Sequence, residues 1–360
     1  TNISKSHEKY LMQTNISIDD IGMFQISDSI STQYGISVDI DFVFDKFYEL
    51  INTNSGIVST EPSLKSENVA IIDFETGDLL YGVNENTLKY PASVTKILTN
   101  YLVLKYCKDL NDTITLTKKN TNLPGEGYGS KSYKEGDTFT IKDAMYASLL
   151  KSDNPVTDAL GDYIERITNW NIGELMTATA RFIGCEDCEF KNAYGNDDGL
   201  DEYANHMVSA NNMGRILAYA AKDCPELIEI MGTVYYEPLK INNLVKCLSK
   251  GDQTYVEGIL GAKSGTTDNA GNTLISIIER DGKKLVIVCF GNYGTMNDAY
   301  YDTKKLADYG FKLLNVREHT LNRTNNKIYT RNILESFSQL KTIRCLSFYL
   351  KREMQSRSKV

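Results

Sequence analysis

The sequence predicts an α+β fold: an antiparallel sheet flanked by helices, with a helical subdomain. Three observations carry that prediction. Two apolar runs flank a turn early in the chain, a helical stretch fills the middle, and three consecutive strand patterns come late.

In chain order, residues 1–52 alternate polar and apolar positions weakly, with acidic residues throughout, and suggest no role. Residues 52–67, "NTNSGIVSTEPSLKSE", are polar and read as a linker. "NVAIIDFETGDLLYGVN" follows, and "ETGD" between apolar runs predicts a hairpin. A helix is expected over about 93–107 and a short strand at "TITLT". "TNLPGEGYGSKSYKEGD" is a Gly-rich loop without the GK[ST] ending of a phosphate-binding loop. Helical periodicity occupies about 140–150, 154–167, 172–183 and 208–222. "EGILGAKSG", "GNTLISIIER" and "KKLVIVCFGN" read as strands, with Gly265 and Gly271 in the first turn and "RDG" in the second. "NDAYYDTKKLADYGFKLL" closes as a helix, and no internal repeat is visible.

With 360 residues the chain is long enough for two domains, or for one large domain with extensions. A net charge of −8 argues against a nucleic-acid partner. That charge is unevenly spread. Residues 315–360 carry ten Lys/Arg and three Asp/Glu, a net +7 against −15 on the remainder, which marks the tail as a separate module. The expected organisation is an extension and linker at 1–65, a main domain at 66–314 and a basic tail at 315–360. Of seven cysteines, Cys185 and Cys188 form a lone CxxC with no second pair to complete a zinc site. Plain thiols or a local disulfide are expected there, and no metal or cofactor. No apolar run reaches the ~20 residues that span a bilayer, and nothing resembles a signal peptide.

The chemistry begins at "KYPASVTKILTNYLVL", where Ser93 precedes Lys96 by three residues at a helix start. Residues three apart share a helix face, so hydroxyl and amine can touch. A serine is a poor nucleophile until a base takes its proton, and a buried lysine of lowered pKa can be that base. The pattern alone is weak, because Ser338 and Lys341 match it too. Company separates the two. Ser152-Asp153-Asn154 lies between two helical patterns, and Lys263-Ser264-Gly265-Thr266 ends a strand pattern. Each has a plainer reading: a helix cap for the former, a solvated strand end and turn glycine for the latter. The ordered trio SxxK, S[DG]N, K[TS]G is the signature of penicillin-binding proteins and β-lactamases, and Ser338 lies after all of it. Only His7, His206 and His319 exist, none in a nucleophile-elbow context, and no HExxH occurs.

On these residues, and on "FKNAYGNDDGLDEYANHMVSANNMGRI" between the last two motifs, the segment 66–314 resembles the penicillin-binding D-alanyl-D-alanine carboxypeptidases, the S11-type serine peptidases. The resemblance implies the DD-peptidase/β-lactamase-like fold and an acyl-enzyme mechanism on peptidoglycan stem peptides, with β-lactam antibiotics as covalent inhibitors. It implies Ser93 as nucleophile, Lys96 as base, Lys263 as a second cation and Ser152 as proton relay. Asn154 would bond Lys96 and the substrate backbone. Ser264, Gly265 and Thr266 would line the substrate, and the N–H groups of Ser93 and Thr266 would form an oxyanion hole. It also implies an extracytoplasmic location in the cell envelope. Two departures stand out. Where relatives often carry a carboxylate-binding arginine, this chain has Ala299 and Tyr300, which shifts that task to Lys263, Ser264 and Thr266. Nothing after Leu314 looks like a β-rich C-terminal domain.

Two other functions fit the motifs: a serine β-lactamase, and a catalytically idle peptidoglycan-binding protein. The ExxLN loop of class A lactamases is missing between the second and third motifs. The intact serine and lysine set argues against the idle reading. In the tail, 333–352 patterns as a basic amphipathic helix, suited to a membrane surface or to packing on the protein itself.

Overall fold

The computed structural model describes residues 61–123, 133–197 and 204–326, with side chains described through residue 315. Chain contacts divide the protein into two units. One is Glu61–Phe311; the other takes Thr1–Thr60 and Lys312–Val360, and of it only residues 312–326, helical throughout, are described. Residues 1–60 of the extension and linker expected at 1–65, and the tail helix expected at 333–352, therefore lie outside the described residues, as does Ser338.

The larger unit is built on a five-stranded antiparallel sheet ordered β2-β1-β9-β8-β7. Strand β1 is Asn68–Asp73 and β2 is Leu79–Val83, joined by the expected hairpin. Its turn is held by the Asp73 carboxylate, which accepts from the backbone of Glu75 at 2.9 Å, and by Gly77 at φ +78°. Strands β7 (Ile259–Thr267), β8 (Gly271–Arg280) and β9 (Lys283–Asn292) follow one another in sequence, and β9 pairs back onto β1. Val69 to Ile72 and Leu285 to Phe290 are buried without alternation, because helices cover both faces.

Helix α6 (Ala210–Asp223) lies on one face, where a Cβ on Gly214 would come within 2.6 Å of Ile72. The closing helix α8 (Met296–Asn326) lies on the other, where a Cβ on Gly310 would come within 2.9 Å of Ile71. Adjacent β-strand residues point to opposite faces, so neighbouring isoleucines receive the two helices.

A helical layer carries the rest. After a 3₁₀ turn at Ala92–Thr95, helix α1 (Lys96–Tyr106) is buried along Lys96–Val103, including its polar positions. Around it pack α3 (Ile141–Leu150), α4 (Asn154–Thr168) and α5 (Ile172–Phe182). Each of the three starts at a side-chain cap: Thr140 accepts from Asp143 N, Asp153 from Val156 N, and Asn171 from Gly173 N. Pro155 in the first turn of α4 adds a preset φ where no donor is needed. Smaller elements complete the unit: β3 (Thr113–Thr115) paired with β4 (Thr138–Thr140), the single turn α2 (Lys118–Thr121), α7 (Glu226–Gly232), and β5 (Tyr235–Tyr236) paired with β6 (Ile241–Asn242).

Cys185 and Cys188 are buried free thiols in the turn after α5, and burial pushes the first up to about 11. Among the described residues no helix is long and apolar enough to cross a membrane, and no group of three or more His, Cys, Asp or Glu side chains is placed to hold a metal ion.

Candidate active site

Three segments distant in sequence converge on one lysine. Lys96 is fully buried, and its Nζ lies 2.8 Å from Ser93 Oγ, 2.7 Å from Asn154 Oδ1 and 2.7 Å from the carbonyl oxygen of Tyr194. Ser93 and Lys96 sit three residues apart, as the sequence predicts, but not within one α-helix. Ser93 belongs to the 3₁₀ turn and Lys96 opens α1. Ala92 enters that turn with φ +49°, a left-handed conformation that costs an ordinary residue about 1–2 kcal/mol and is typical of strained functional turns.

Ser152 and Asn154 flank Asp153 between α3 and α4. Ser152 is left-handed at φ +58°, which ends one helix and turns its side chain away from the next. Lys263, on β7, is 1% exposed and donates to Ser152 Oγ at 2.9 Å and to its neighbour's carbonyl, Ser264 O, at 2.6 Å. Asn154, Lys96 and Ser93 are thus joined by hydrogen bonds on one side, and Ser152 and Lys263 on the other, with Asp153 at the hinge.

Gly265 is inside β7 rather than in the following turn. A Cβ there would stand 2.6 Å from Ser93 N and 2.9 Å from Ala92 Cβ, so the strand runs directly against the serine turn. The turn is tied to the sheet from below as well, since Thr273 Oγ1 donates to Pro91 O at 3.1 Å. Thr266 Oγ1 bonds Asn272 Oδ1 at 3.0 Å, and Ser264 is partly exposed beside them. Ala299 and Tyr300 are both buried, and the Tyr300 hydroxyl accepts from Lys246 N at 3.4 Å.

Charge in the site is set by burial. Removal from water holds Lys96 well below its ordinary range, the Lys263 charge adds to this, and the Asp153 carboxylate opposes it. Burial brings Lys263 down to about 7 and Asp153 up to about 7. Burial and the nearby Lys263 charge both favour the uncharged form of Lys96. A neutral amine has two N–H groups and one lone pair. Two of the three neighbours of Lys96 Nζ are carbonyl oxygens, which only accept. They take both N–H groups and leave the lone pair aimed at the Ser93 hydroxyl. The arrangement can therefore accept a proton from Ser93 without reorganising.

A polar chain beneath the site links the start of α1 to Asp153. Asn100 Nδ2 donates to Lys96 O at 2.8 Å and to Ser148 Oγ at 2.9 Å, and Thr157 Oγ1 meets Ser148 Oγ at 2.8 Å. Thr157 also donates to Asp153 O at 2.5 Å.

The structure brings together Ser93, Lys96, Ser152, Asn154 and Lys263, with Gly265 against Ser93. Nothing in the sequence points to the Tyr194 carbonyl, because a backbone acceptor has no side-chain signature. Its loop is shaped by Asn192, whose Oδ1 accepts from the backbones of Tyr194, Gly195 and Asn196 at 3.2, 2.7 and 3.1 Å. An asparagine whose side chain bonds the backbone two residues on is a recognised turn former.

Residues 56–294 match the family described as D-alanyl-D-alanine carboxypeptidase. Among curated proteins, the chain is 28% identical over 260 residues to D-alanyl-D-alanine carboxypeptidase DacA of Haemophilus influenzae, covering 70% of this chain and 63% of that one. It is 23% identical over 302 residues to DacF of Bacillus subtilis, covering 82% and 75%. The chain thus spans less than two thirds of the first of these relatives. Among solved structures, penicillin-binding protein D2 of Listeria monocytogenes in its cefotaxime-bound form superposes with a TM-score of 0.62 at 23% identity, covering 70% of this chain and all of that one. Penicillin binding protein 5 of Haemophilus influenzae gives 0.60 at 25% identity, covering 70% and 72%.

Proposed function

The chain belongs to the D-alanyl-D-alanine carboxypeptidase family, and from that premise we propose that it removes the terminal D-alanine from peptidoglycan stem peptides through an ester on Ser93. The observation that carries this reading is the Lys96 geometry: a buried amine 2.8 Å from Ser93 Oγ and 2.7 Å from the carbonyl oxygens of Asn154 and Tyr194.

Ser93 Oγ attacks the carbonyl of the D-Ala-D-Ala bond as its proton passes to Lys96. The oxyanion forms against the N–H groups of Ser93 and Thr266, where one such donor is typically worth about 3 kcal/mol. The proton then travels through Ser152 to the departing amine, D-alanine leaves, and water hydrolyses the Ser93 ester. Lys263, in its charged form, and the side chains of Ser264 and Thr266 receive the terminal carboxylate, a task for which buried Ala299 and Tyr300 offer no cation. A β-lactam enters the same sequence, but its leaving nitrogen stays tethered to the acyl group, so the ester persists. The domain proposed to do this is 66–314, acting in the cell envelope as the family's substrate requires. A membrane contact through 333–352 is proposed on the basic amphipathic pattern alone.

The test is release of free D-alanine from a synthetic acyl-D-Ala-D-Ala peptide. The wild-type chain should release it and Ser93→Ala should not. Equal release by both would overturn the reading. Rapid turnover of penicillin without release of D-alanine would identify a β-lactamase instead.

A further inference from the structure

His206 has no place in the proposed chemistry, yet it is fully buried and both ring nitrogens are engaged. Its Nδ1 lies 3.0 Å from the backbone nitrogen of Lys191, and its Nε2 lies 2.9 Å from Thr95 Oγ1. A backbone N–H can only donate, so Nδ1 accepts, and the neutral ring keeps its proton on Nε2 and donates it to Thr95. The ring edge packs against Phe190, with centroids 5.5 Å apart.

The two residues it holds are informative. Thr95 lies between Ser93 and Lys96 in the turn that presents the serine. Lys191 immediately precedes Asn192, the residue that shapes the loop carrying the Tyr194 carbonyl to Lys96. The ring therefore bridges the two segments whose separation fixes three atoms: Ser93 Oγ, Lys96 Nζ and Tyr194 O. The two residues that follow His206 are held to neighbouring backbone. Met207 and Glu189 exchange hydrogen bonds at 2.9 Å each way, and Val208 and Lys89 at 3.0 and 3.1 Å.

We propose that His206 is a positioning residue for the acylation step, clamping the serine turn to the Tyr194 loop so that the Lys96 lone pair stays on Ser93. The inference rests on the reading of Ser93 and Lys96 given above. The ring must remain neutral to serve, since a proton on Nδ1 would break the Lys191 contact. Burial keeps it neutral, as does the Lys191 charge that faces it.

Penicillin acylation rates across pH, measured below the thermal midpoint of each variant, test this. His206→Phe fills the space without hydrogen bonds, and Thr95→Val removes the partner oxygen while keeping its shape. Each should slow acylation on the order of 100-fold, the effect of a misplacement near 1 Å. The double variant should be no slower than the worse single variant, and His206→Gln, which can still donate to Thr95, should recover part of the rate. The acid limb of the profile should also move, because Lys96 loses its fixed Tyr194 contact. Wild-type rate and pH profile in folded His206→Phe, with only the thermal midpoint lowered, would overturn the proposal. If that variant does not fold, wild-type acylation of Thr95→Val overturns it equally. Lys96→Ala separates the two levels. Fast acylation of Lys96→Ala would remove the base assignment and this inference together. Fast acylation of His206→Phe beside an inert Lys96→Ala would remove this inference alone.

Discussion

Lys96 Nζ lies 2.7 Å from the carbonyl oxygen of Tyr194, a residue 98 positions away. That contact and the one to Asn154 use both hydrogens of a neutral amine, and so decide which way its lone pair faces. Replacing Lys96 by arginine places there a group that keeps its proton at any ordinary pH. Acylation by penicillin should fall by roughly 10²–10⁴-fold, the usual worth of a positioned general base. Stopped-flow labelling measures this directly, and a loss under tenfold would contradict the assignment.

Gly265 should tolerate no side chain. A Cβ would stand 2.6 Å from both Ser93 N and Thr273 Oγ1, so either the strand or the serine turn must move. Gly265→Ala should lower stability by about 1–3 kcal/mol, as overpacking does, and slow acylation on the order of 100-fold. Denaturant unfolding and penicillin labelling check the two parts separately.

The dependence of acylation on pH should be bell-shaped. Lys263 loses its proton near pH 7 in the empty site because it is buried. Acylation efficiency reports the free enzyme, so it should decline as pH rises through about 7 and the cation proposed to receive the substrate carboxylate is lost. At low pH it should decline again as Lys96 becomes charged. Lys263→Arg keeps its charge and should show no alkaline decline, whatever its absolute rate. A wild-type efficiency still level at pH 9 would contradict this.

Folding stability should fall in acid partly through His206. The folded ring takes up a proton only near pH 3, whereas an unfolded histidine does so near 6.5. The unfolded chain therefore binds more protons between those values, and stability drops as pH falls through that window. Above 6.5 the contribution is fully present. Urea unfolding from pH 7 to 4 should show a shallower slope in His206→Gln than in wild type.

These expectations draw on features that were unequally visible in the sequence. The main strands and helices were legible because their apolar residues recur with clear periods. Helices expected at 140–150, 154–167, 172–183 and 208–222 are found at Ile141–Leu150, Asn154–Thr168, Ile172–Phe182 and Ala210–Asp223. Ser152-Asp153-Asn154 was legible as a helix cap, and of the three it is Asp153 that caps α4 while Ser152 and Asn154 contact the two lysines. Two-residue strands such as Tyr235–Tyr236 and the single turn at Lys118–Thr121 carry too few residues for any period to register. Gly265 looked like turn chemistry, because a glycine needed for close approach and one needed for a positive φ are spelled alike. The 3₁₀ start of the serine turn was hidden for a related reason: i,i+3 spacing brings side chains together in both helix types. His206 gave no signal either, since its partners lie 15 and 111 residues away and one of them is a backbone group.

The central claim is that the Ser93 hydroxyl, activated by uncharged Lys96, forms the covalent bond. Mass spectrometry of the protein after brief exposure to benzylpenicillin, followed by peptide mapping, tests it most directly. A single added penicilloyl group on the peptide that contains Ser93, absent from Ser93→Ala, is the predicted result. An adduct on any other residue, or labelling that survives Ser93→Ala, would contradict it.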